Sequence, residues 1–226
     1  TAQKYDTNIL NFAQQKQLSE FIQEKKADNY YSFKNDNQLN ADMWVKFYKQ
    51  DIGLSEKDDL KLVRTENDNL GFKHYRYQQY HSGVEVYGAQ FLVHEKNGVV
   101  VSANGKVISF SNSNSNASIT SSEAIQKAIN HVGAKQYMWE IEGEEALLKK
   151  IKKDQNATYY PVAEKVLYNP YFSKNGSHYN LAYKVEVYAK NPLSKQDVFV
   201  NASTGEIINS YDKIHHVEVT GTANTK

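Results

Sequence analysis

A series of short strand-forming segments separated by two-residue turns dominates residues 60–110 of this chain. The turn dipeptides are Ser82-Gly83, Asn97-Gly98 and Asn104-Gly105, and dipeptides of this kind connect adjacent antiparallel strands. They predict an antiparallel meander whose strands are LKLVRTE, KHYRYQQY, VEVYGAQFLVHE, VVVSA and KVISF. Such a sheet has a face that must be covered by another element.

The covering element is predicted just before the meander. Between Asn40 and Gly53, four large apolar side chains recur on one face of a helix: Met43, Trp44, Phe47 and Tyr48. Residues 1–38 are polar with scattered apolar anchors, and we read them as a loosely ordered lead-in with some helix. The first domain is therefore predicted to span residues 39–110.

The second half of the chain has the same order of elements. A Ser/Asn-rich linker at residues 111–118 precedes a helix that begins with a capping box at Thr120–Glu123 and ends at Gly133. After a charged insert, strands are predicted in YYPVAEKVLYN, HYNLAYKVEVYA, DVFVNAS and EIINSYD. The segment VFVNASTGEIIN repeats the pattern of VVVSANGKVIS in the first half, which favours an internal duplication. The sequence therefore predicts an α+β fold of two tandem units, each a helix packed on an antiparallel β-sheet.

Composition excludes several classes of function. The 226 residues carry 27 Lys+Arg against 26 Asp+Glu, so no strong field attracts nucleic acid or an anionic membrane. The chain has no cysteine, which excludes disulfides, thiolate metal sites and a cysteine nucleophile. Its 17 tyrosines are typical of a folded chain rich in strands. No apolar run is long enough for a membrane span.

The histidines do not form a recognisable catalytic motif. The zinc-protease motif H-E-x-x-H is absent, because His94-Glu95 is followed by Lys96-Asn97-Gly98 in a predicted hairpin. We therefore expect no catalytic residue, metal site or cofactor in this chain. A zinc site on the strands remains an alternative, since His74 and the turn at Tyr80-His81 could approach His94 across the sheet.

The segment from His74 to Gln90 has two predicted faces. Alternation along a strand assigns Tyr75, Tyr77, Gln79 and His81 to one face and His74, Arg76, Gln78 and Tyr80 to the other. One face should pack under the helix that contains Trp44. The other face, formed by His74, Arg76, Gln78 and Tyr80, is then available to contact a partner.

These segments resemble two known families. The helix MWVKFYKQDIGL and the strands that follow it resemble the fungalysin/thermolysin propeptide (FTP) domain at several positions: His74, Arg76, Gln79, Tyr80, Gly83, Val84, Val86, Gly88, His94 and Gly105. Residues 119–214, with TSSEAIQKAI, LAYKVEVYA and DVFVNASTGEII, resemble a PepSY domain. The two domains follow one another in this order in secreted thermolysin-like (M4) zinc metalloproteases, and both units are then expected to be cystatin-like.

The resemblance implies a function in which the chain acts on a protease. An FTP–PepSY propeptide assists folding of the attached catalytic domain, which would hold zinc and calcium, and inhibits it until proteolysis. It also implies a secreted or cell-envelope bacterial protein, with no nucleic-acid or membrane partner. Residues 215–226 would form the processing linker and the start of the mature protease. The inhibitory tail is expected to comprise Ile214, His215, His216, Val217, Glu218, Val219 and Thr220.

Two alternatives remain open at the level of sequence. The chain could be a stand-alone secreted cystatin-like inhibitor or binding module, which a reading frame without an H-E-x-x-H domain would favour. It could also be an enzyme with an unrecognised site in the sheet, which metal analysis of the purified chain would test.

Overall fold

The computed structural model describes residues 17–26, 30–34, 36–110, 116–171 and 175–214. The chain divides into two compact units, Thr1–Asn114 with Val166–Asn180 and Ser115–Lys165 with Leu181–Lys226. A segment from the second half of the sequence therefore belongs to the first unit. Within the described residues, none of the helices combines the length and apolar character required to cross a membrane.

The first unit is a mostly antiparallel sheet with two short helices. Its elements are α1 (Leu18–Phe21), β1 (Ile22–Lys26), β2 (Tyr30–Phe33), α2 (Ala41–Tyr48), β3 (Asp58–Asn67), β4 (Phe72–His81), β5 (Val84–Lys96) and β6 (Val99–Gly105). Strands β3 to β6 pair as consecutive antiparallel neighbours, and β2 pairs with β6 on one side and β1 on the other. The predicted turns at Ser82-Gly83 and Asn97-Gly98 are confirmed, each with two residues at positive φ, as type I′ hairpins require.

The core of the first unit lies between α2 and the sheet. Trp44 is fully buried and its ring stacks on Phe91 of β5 with centroids 5.3 Å apart. The predicted helix is confirmed, although it ends at Tyr48, before the predicted limit near Gly53. Residues 18–26 and 30–33 form regular elements instead of the predicted loose lead-in, and Phe21, Tyr31 and Phe33 are buried in the same core.

The predicted turn at Asn104-Gly105 is wrong. Strand β6 continues through both residues, and Gly105 pairs with Phe91 at φ 144°, a value that residues with a Cβ rarely adopt. A Cβ at this position would lie 2.4 Å from the carbonyl oxygen of Gln90, so the glycine is required by a close approach of two strands and not by a turn. The predicted strand Lys106–Phe110 is also absent, with only an isolated bridge between Ser109 and Asn175.

The second unit contains the longer helices. Its elements are α3 (Ser121–Val132), β7 (Gln136–Tyr137), a 3-10 turn (Met138–Glu140), α4 (Glu144–Lys152), β9 (Asn180–Asn191), β10 (Ser194–Asn201) and β11 (Ile207–Asp212). Between α4 and β9, strand β8 (Ala163–Tyr168) contributes its last three residues to the first unit, where a 3-10 turn (Gly176–His178) follows. Strands β9, β10 and β11 form an antiparallel meander, and α3 packs against β10 and β11.

The predicted ends of α3 are confirmed in detail. The Thr120 hydroxyl accepts a hydrogen bond from the Glu123 backbone amide, and the Glu123 carboxylate accepts one from the Thr120 amide at 2.7 Å. Gly133 ends the helix in the left-handed conformation. These reciprocal bonds satisfy amides that the first helical turn leaves without partners.

The α+β class is confirmed, but the two sequence echoes differ in structure. VFVNASTGEIIN forms the hairpin between β10 and β11, with an irregularity in the pairing at Phe199/Val200. VVVSANGKVIS forms no hairpin, because β6 runs through its turn-like dipeptide and ends at Gly105 without a partner strand after it in residues 106–110. The local pattern of apolar residues and glycine is compatible with both conformations, and tertiary contacts decide between them.

Candidate functional site

The hairpin of β4 and β5 carries most of the residues singled out in the sequence, and its two faces have different environments. On one face, Tyr77 is buried in the core with Trp44, and Tyr75 is packed against its edge. This is the predicted covered face. On the opposite face, a groove of about 510 Å³ is lined by Arg76, Gln78, Glu85, Tyr87, Gly88, Gln90 and Leu92.

A large irregularity in the strand pairing shapes that groove. Gln78 pairs with Gln90, and Tyr80 pairs with Glu85. Between these two pairs, β4 has one residue and β5 has four, so β5 bulges out of the regular pairing. Carbonyl groups in such a bulge lose their partners in the ladder. The Gln78 side-chain nitrogen compensates, because it lies 2.7 Å from the carbonyl of Val86 and 3.0 Å from that of Ala89.

A chain of side-chain hydrogen bonds leads from this bulge to Arg76. The Gln90 amide nitrogen donates to the Gln78 amide oxygen at 3.2 Å, and Arg76 donates to the Gln90 amide oxygen at 3.0 Å. The guanidinium group has five donors and this bond uses one of them. The remaining donors can bind a carboxylate or a carbonyl group at the groove.

The four predicted contact residues do not share one environment. His74 is 29% exposed at its side chain, and Tyr80 is half-buried with the Lys61 ammonium 4.0 Å from its ring centroid. Gln78 is only 5% exposed, and its amide group is used within the fold as described above. The contact role remains a prediction, and it fits Arg76, His74 and Tyr80 better than Gln78.

His74 and His81 lie on different faces of β4, as predicted, and each has a different partner. His81 is buried at the end of β4 and its Nδ1 lies 2.9 Å from Asp58 Oδ1. His74 lies directly opposite His94 across the hairpin, with their Nδ1 atoms 2.6 Å apart. In the described ranges, no three or more His, Asp or Glu side chains are grouped so that they could hold a metal ion.

A buried polar network that the sequence analysis did not anticipate surrounds Asp58. Its carboxylate accepts hydrogen bonds from the Ser55 amide and hydroxyl and from the Gln79 amide nitrogen, in addition to its contact with His81. Burial raises the pKa of Asp58, but the bonds from Ser55, His81 and Gln79 outweigh that effect and hold this pKa below its usual value. The Asp58 carboxylate therefore has a structural role, because it joins Ser55 to Gln79 and His81 of β4.

Glu95, the acidic residue of the incomplete zinc-protease motif, also has a structural role. One of its carboxylate oxygens accepts a hydrogen bond from the Ala41 amide at the start of α2, and the other accepts one from the Tyr75 hydroxyl at 2.9 Å. A carboxylate at a helix N-terminus is stabilised by the free amides and by the helix dipole. Sequence analysis missed this contact because residues 41 and 95 are far apart in the chain.

The second unit has a separate groove of about 480 Å³, between α4 and the strands β9 and β10. Tyr159, Tyr160, Pro161, Val162 and Tyr188 provide its apolar surface. Its charged residues include Lys184, which pairs with Glu164 at 3.2 Å, and Lys195, which pairs with Glu186 at 3.0 Å. Most of the charge in this groove is thus neutralised within the chain.

Of the predicted inhibitory tail, the structure describes only Ile214. Its amide donates to the Asp212 carboxylate at 2.9 Å, just beyond the end of β11. The neighbouring Lys213 ammonium pairs with Glu186 at 2.6 Å and with Asp197 at 3.3 Å. His215, His216, Val217, Glu218, Val219 and Thr220 lie outside the described residues.

Comparison with known families assigns the region that contains the hairpin. Residues 58–113 match the family described as Fungalysin/Thermolysin Propeptide Motif. The chain carries a thermolysin-type propeptide motif. This match begins at Asp58 and includes β3 to β6. It therefore contains Asp58, its partners Gln79 and His81, and the groove beside Arg76.

Similarity to individual proteins extends well beyond the motif. The chain is 28% identical over 186 residues to bacillolysin of Bacillus subtilis (strain 168), covering 79% of this chain and 32% of that protein. It is 29% identical over 194 residues to bacillolysin of Bacillus amyloliquefaciens, covering 82% and 34%. It is 24% identical over 164 residues to the thermostable neutral protease NprT of Geobacillus stearothermophilus, covering 72% and 27%.

These matches confirm the predicted resemblance to propeptides of thermolysin-like proteases. The chain spans about a third of the length of the bacillolysins that it matches. Among solved structures, the Bacillus megaterium YpeB C-terminal domain aligns with a TM-score of 0.39 and 13% sequence identity, over 81% of this chain and 71% of that one.

Proposed function

We propose that this propeptide chain binds the catalytic domain of its own thermolysin-like metalloprotease, assists its folding and inhibits it until the chain is removed by proteolysis. The propeptide motif over residues 58–113 carries the proposal. The hairpin of β4 and β5 within that motif presents an Arg76 side chain with donors to spare beside a groove of about 510 Å³. Such a surface can bind polar groups of a partner.

The proposal includes the finer features expected from the sequence. The two units act as tandem cystatin-like modules, FTP then PepSY, with residues 215–226 as the processing linker. The chain itself contributes no catalytic group, zinc and calcium belong to the catalytic domain, and the precursor is a zinc metalloendopeptidase of a bacterial cell envelope or secreted pool. Residues 214–220 lie in or beside the protease cleft, because clefts of this kind bind extended segments as added strands.

Covalent attachment explains how one cleavage would activate the protease. A linked inhibitor acts at an effective concentration of the order of millimolar, far above that of a free chain. Large proteases are often stable kinetically, so a template that accelerates folding and then leaves is useful. Cutting the linker lowers the effective concentration of the inhibitor, although every contact between the two domains can still form.

The decisive experiment adds the separate chain to the mature protease and to the unfolded protease during refolding. We expect inhibition of peptide hydrolysis at micromolar concentration and a higher yield of active enzyme. The Arg76→Ala variant should inhibit about tenfold less, which corresponds to about 1.4 kcal/mol. Lys46→Ala is the control, since it removes an exposed cationic side chain from α2, which covers the opposite face of the sheet.

Three outcomes would contradict parts of the proposal. If the intact chain neither inhibits nor raises the refolding yield, the propeptide function is wrong. If Lys46→Ala weakens inhibition as much as Arg76→Ala, the groove is not the contact. If a chain that ends after Lys213 inhibits as well as the full chain, residues 214–220 do not occupy the cleft.

A further inference from the structure

The pair His74 and His94 has a geometry that the propeptide function does not use. The two residues face each other across β4 and β5, and their Nδ1 atoms converge to 2.6 Å. Their other ring nitrogens point away from each other: His74 Nε2 lies 3.2 Å from Asp68 Oδ2, and His94 Nε2 lies 2.7 Å from Asn104 Oδ1. Each imidazole therefore has its outer nitrogen beside an oxygen.

These outer contacts determine where the ring protons lie. A carboxylate only accepts hydrogen bonds, so neutral His74 carries its proton on Nε2 and presents the Nδ1 lone pair to His94. With the Asn104 amide oxygen as acceptor, His94 does the same, and two lone pairs then face each other at 2.6 Å. That contact is repulsive unless a cation lies between the nitrogens or a proton is shared by them.

A proton can relieve the repulsion, and so can a metal ion. If the Asn104 amide is reversed, His94 can hold its proton on Nδ1 and donate it to His74, which completes a chain of hydrogen bonds. When a metal ion is bound by both Nδ1 atoms, the His94 proton moves from Nδ1 to Nε2, and the Asn104 amide oxygen again accepts it there. Histidine ligands in metal sites are commonly fixed by a carboxylate or carbonyl oxygen at their other nitrogen, which is the arrangement of Asp68 and Asn104.

The spacing favours a particular class of metal ion. Two nitrogens that each lie about 2.0 Å from one ion at a right angle are about 2.8 Å apart, whereas tetrahedral coordination requires about 3.3 Å. The observed 2.6 Å is closer to the right-angled arrangement, so a small rotation of the rings suffices. Right-angled nitrogen ligands are typical of Cu²⁺ and Ni²⁺, and imidazole nitrogen is a favoured ligand for both.

The surroundings allow an ion to enter and remain fixed once bound. The His74 side chain is 29% exposed and that of Asp68 is 34% exposed. Asp68 is oriented by bonds from the Leu70 and Phe72 amides at 2.8 and 2.9 Å, and the His74 ring stacks on Phe72. Water would complete the coordination, since the protein supplies two ligands.

We propose that His74 and His94 form a binding site for a divalent copper- or nickel-type ion, oriented by Asp68 and Asn104, which links β4 to β5. This replaces the expectation that the chain binds no metal, and it revises the alternative of a strand zinc site that included the Tyr80-His81 turn. The site does not depend on the propeptide function. Its expected effect is to stabilise the folded chain in proportion to ion concentration.

The test uses the untagged 226-residue chain with His215→Asn and His216→Asn, because two adjacent histidines can bind the same ions. Thermal unfolding is followed in EDTA, in Mg²⁺ and in Ni²⁺, and calorimetry gives the stoichiometry. We expect one Ni²⁺ per chain and a rise in Tm on the order of 5 °C at a hundred times Kd. Mg²⁺ should leave Tm unchanged. With Cu²⁺, electron paramagnetic resonance should show two nitrogen ligands.

Three further variants separate ligation from folding. His94→Asn should abolish binding, whereas His178→Asn, at an exposed histidine of the same unit, should leave it unchanged. Asp68→Asn retains both ligands and should weaken binding by about 10–100-fold, which keeps the proposal testable if His94→Asn is unstable. The proposal is overturned if the parent chain binds no Ni²⁺ or Cu²⁺, or if binding survives His94→Asn, or if Asp68→Asn binds like the parent.

Discussion

At the scale of single residues, Asp58 couples the stability of the first unit to pH. Its pKa is held below the usual value by hydrogen bonds from Ser55, His81 and Gln79 that outweigh the effect of burial. A carboxylate with a depressed folded pKa binds fewer protons in the folded state than in the unfolded state. Its contribution is therefore complete above about pH 5 and is lost as the pH falls below about 4, towards the folded pKa.

The Asp58→Asn variant tests this contribution. At pH 7 we expect a loss of about 2 kcal/mol in the free energy of unfolding, because the amide cannot accept all of the bonds to the carboxylate. Between about pH 5 and pH 3, the free energy of unfolding should also fall less in the variant than in the parent chain. Urea unfolding at several pH values measures both effects. Asp59→Asn is the control, since that side chain is 69% exposed, and an equal effect at both positions would contradict the prediction.

At the scale of single elements, α2 depends on a cap supplied by β5. The Glu95 carboxylate accepts from the Ala41 amide and from the Tyr75 hydroxyl, and it is only 4% exposed. Glu95→Ala leaves both donors without a partner, so we expect a loss of about 2–3 kcal/mol in the free energy of unfolding. Glu95→Gln should cost less, because its amide oxygen can still accept from Ala41.

Urea unfolding measures these losses, and Glu66→Ala on the exposed strand β3 provides the control. If Glu95→Ala and Glu66→Ala cost the same, the cap contributes nothing to stability. The sequence pattern predicted α2 and β5 separately from their apolar periodicity. It could not predict the cap, since nothing local in HEKNG indicates that the glutamate faces a helix more than fifty residues earlier in the chain.

Residues 106–110 show why one predicted strand does not form. Gln79, which is fully buried, donates to the carbonyl of Ile108 at 2.7 Å and accepts from its amide at 2.8 Å. A side chain thus supplies both bonds that a neighbouring strand would have made. KVISF has the composition of a strand, and only the tertiary position of Gln79 makes a different conformation possible.

Gln79→Leu should therefore destabilise the first unit more than an ordinary buried substitution. It leaves the amide and carbonyl of Ile108 unpaired, and we expect a loss of about 3 kcal/mol or more in the free energy of unfolding. Gln79→Glu can still accept from the Ile108 amide but cannot donate to its carbonyl. Amide hydrogen exchange at Ile108 checks the cause: it should accelerate strongly in Gln79→Leu and less in Gln79→Glu. Unchanged protection in Gln79→Leu would contradict the assignment.

At the scale of the whole molecule, the division into units differs from the division expected from the sequence. The sequence predicts a first domain that is continuous in the chain, at residues 39–110. Apolar periodicity gives no reason to assign residues from the second half of the chain to it. The structure adds Val166–Asn180 to the first unit. Val166 and Leu167 pair in parallel with Glu85 and Val86 of β5, and a parallel pair requires a long connection, which local turn signals cannot reveal.

The added segment should be necessary for the stability of the first unit. Leu167 and Tyr168 are no more than 1% exposed, and the Tyr168 ring lies 5.6 Å from that of Tyr87. Tyr179 is also buried, with its ring 5.7 Å from that of Phe110. A fragment comprising residues 1–114 exposes the surfaces that these side chains cover. We therefore expect it to unfold at a lower urea concentration than the first unit does in the intact chain.

Adding residues 166–180 back to the fragment tests whether this segment accounts for the lost stability. A fragment in which residues 166–180 follow residue 114 through a flexible Gly/Ser linker should recover most of the lost stability, because the linker costs little entropy compared with the apolar surface that is buried again. The same fusion with Leu167→Ser and Tyr168→Ser should not recover it, since the apolar contacts are then missing. Urea unfolding of the three fragments decides the matter: equal midpoints would show that residues 1–114 are stable without the segment.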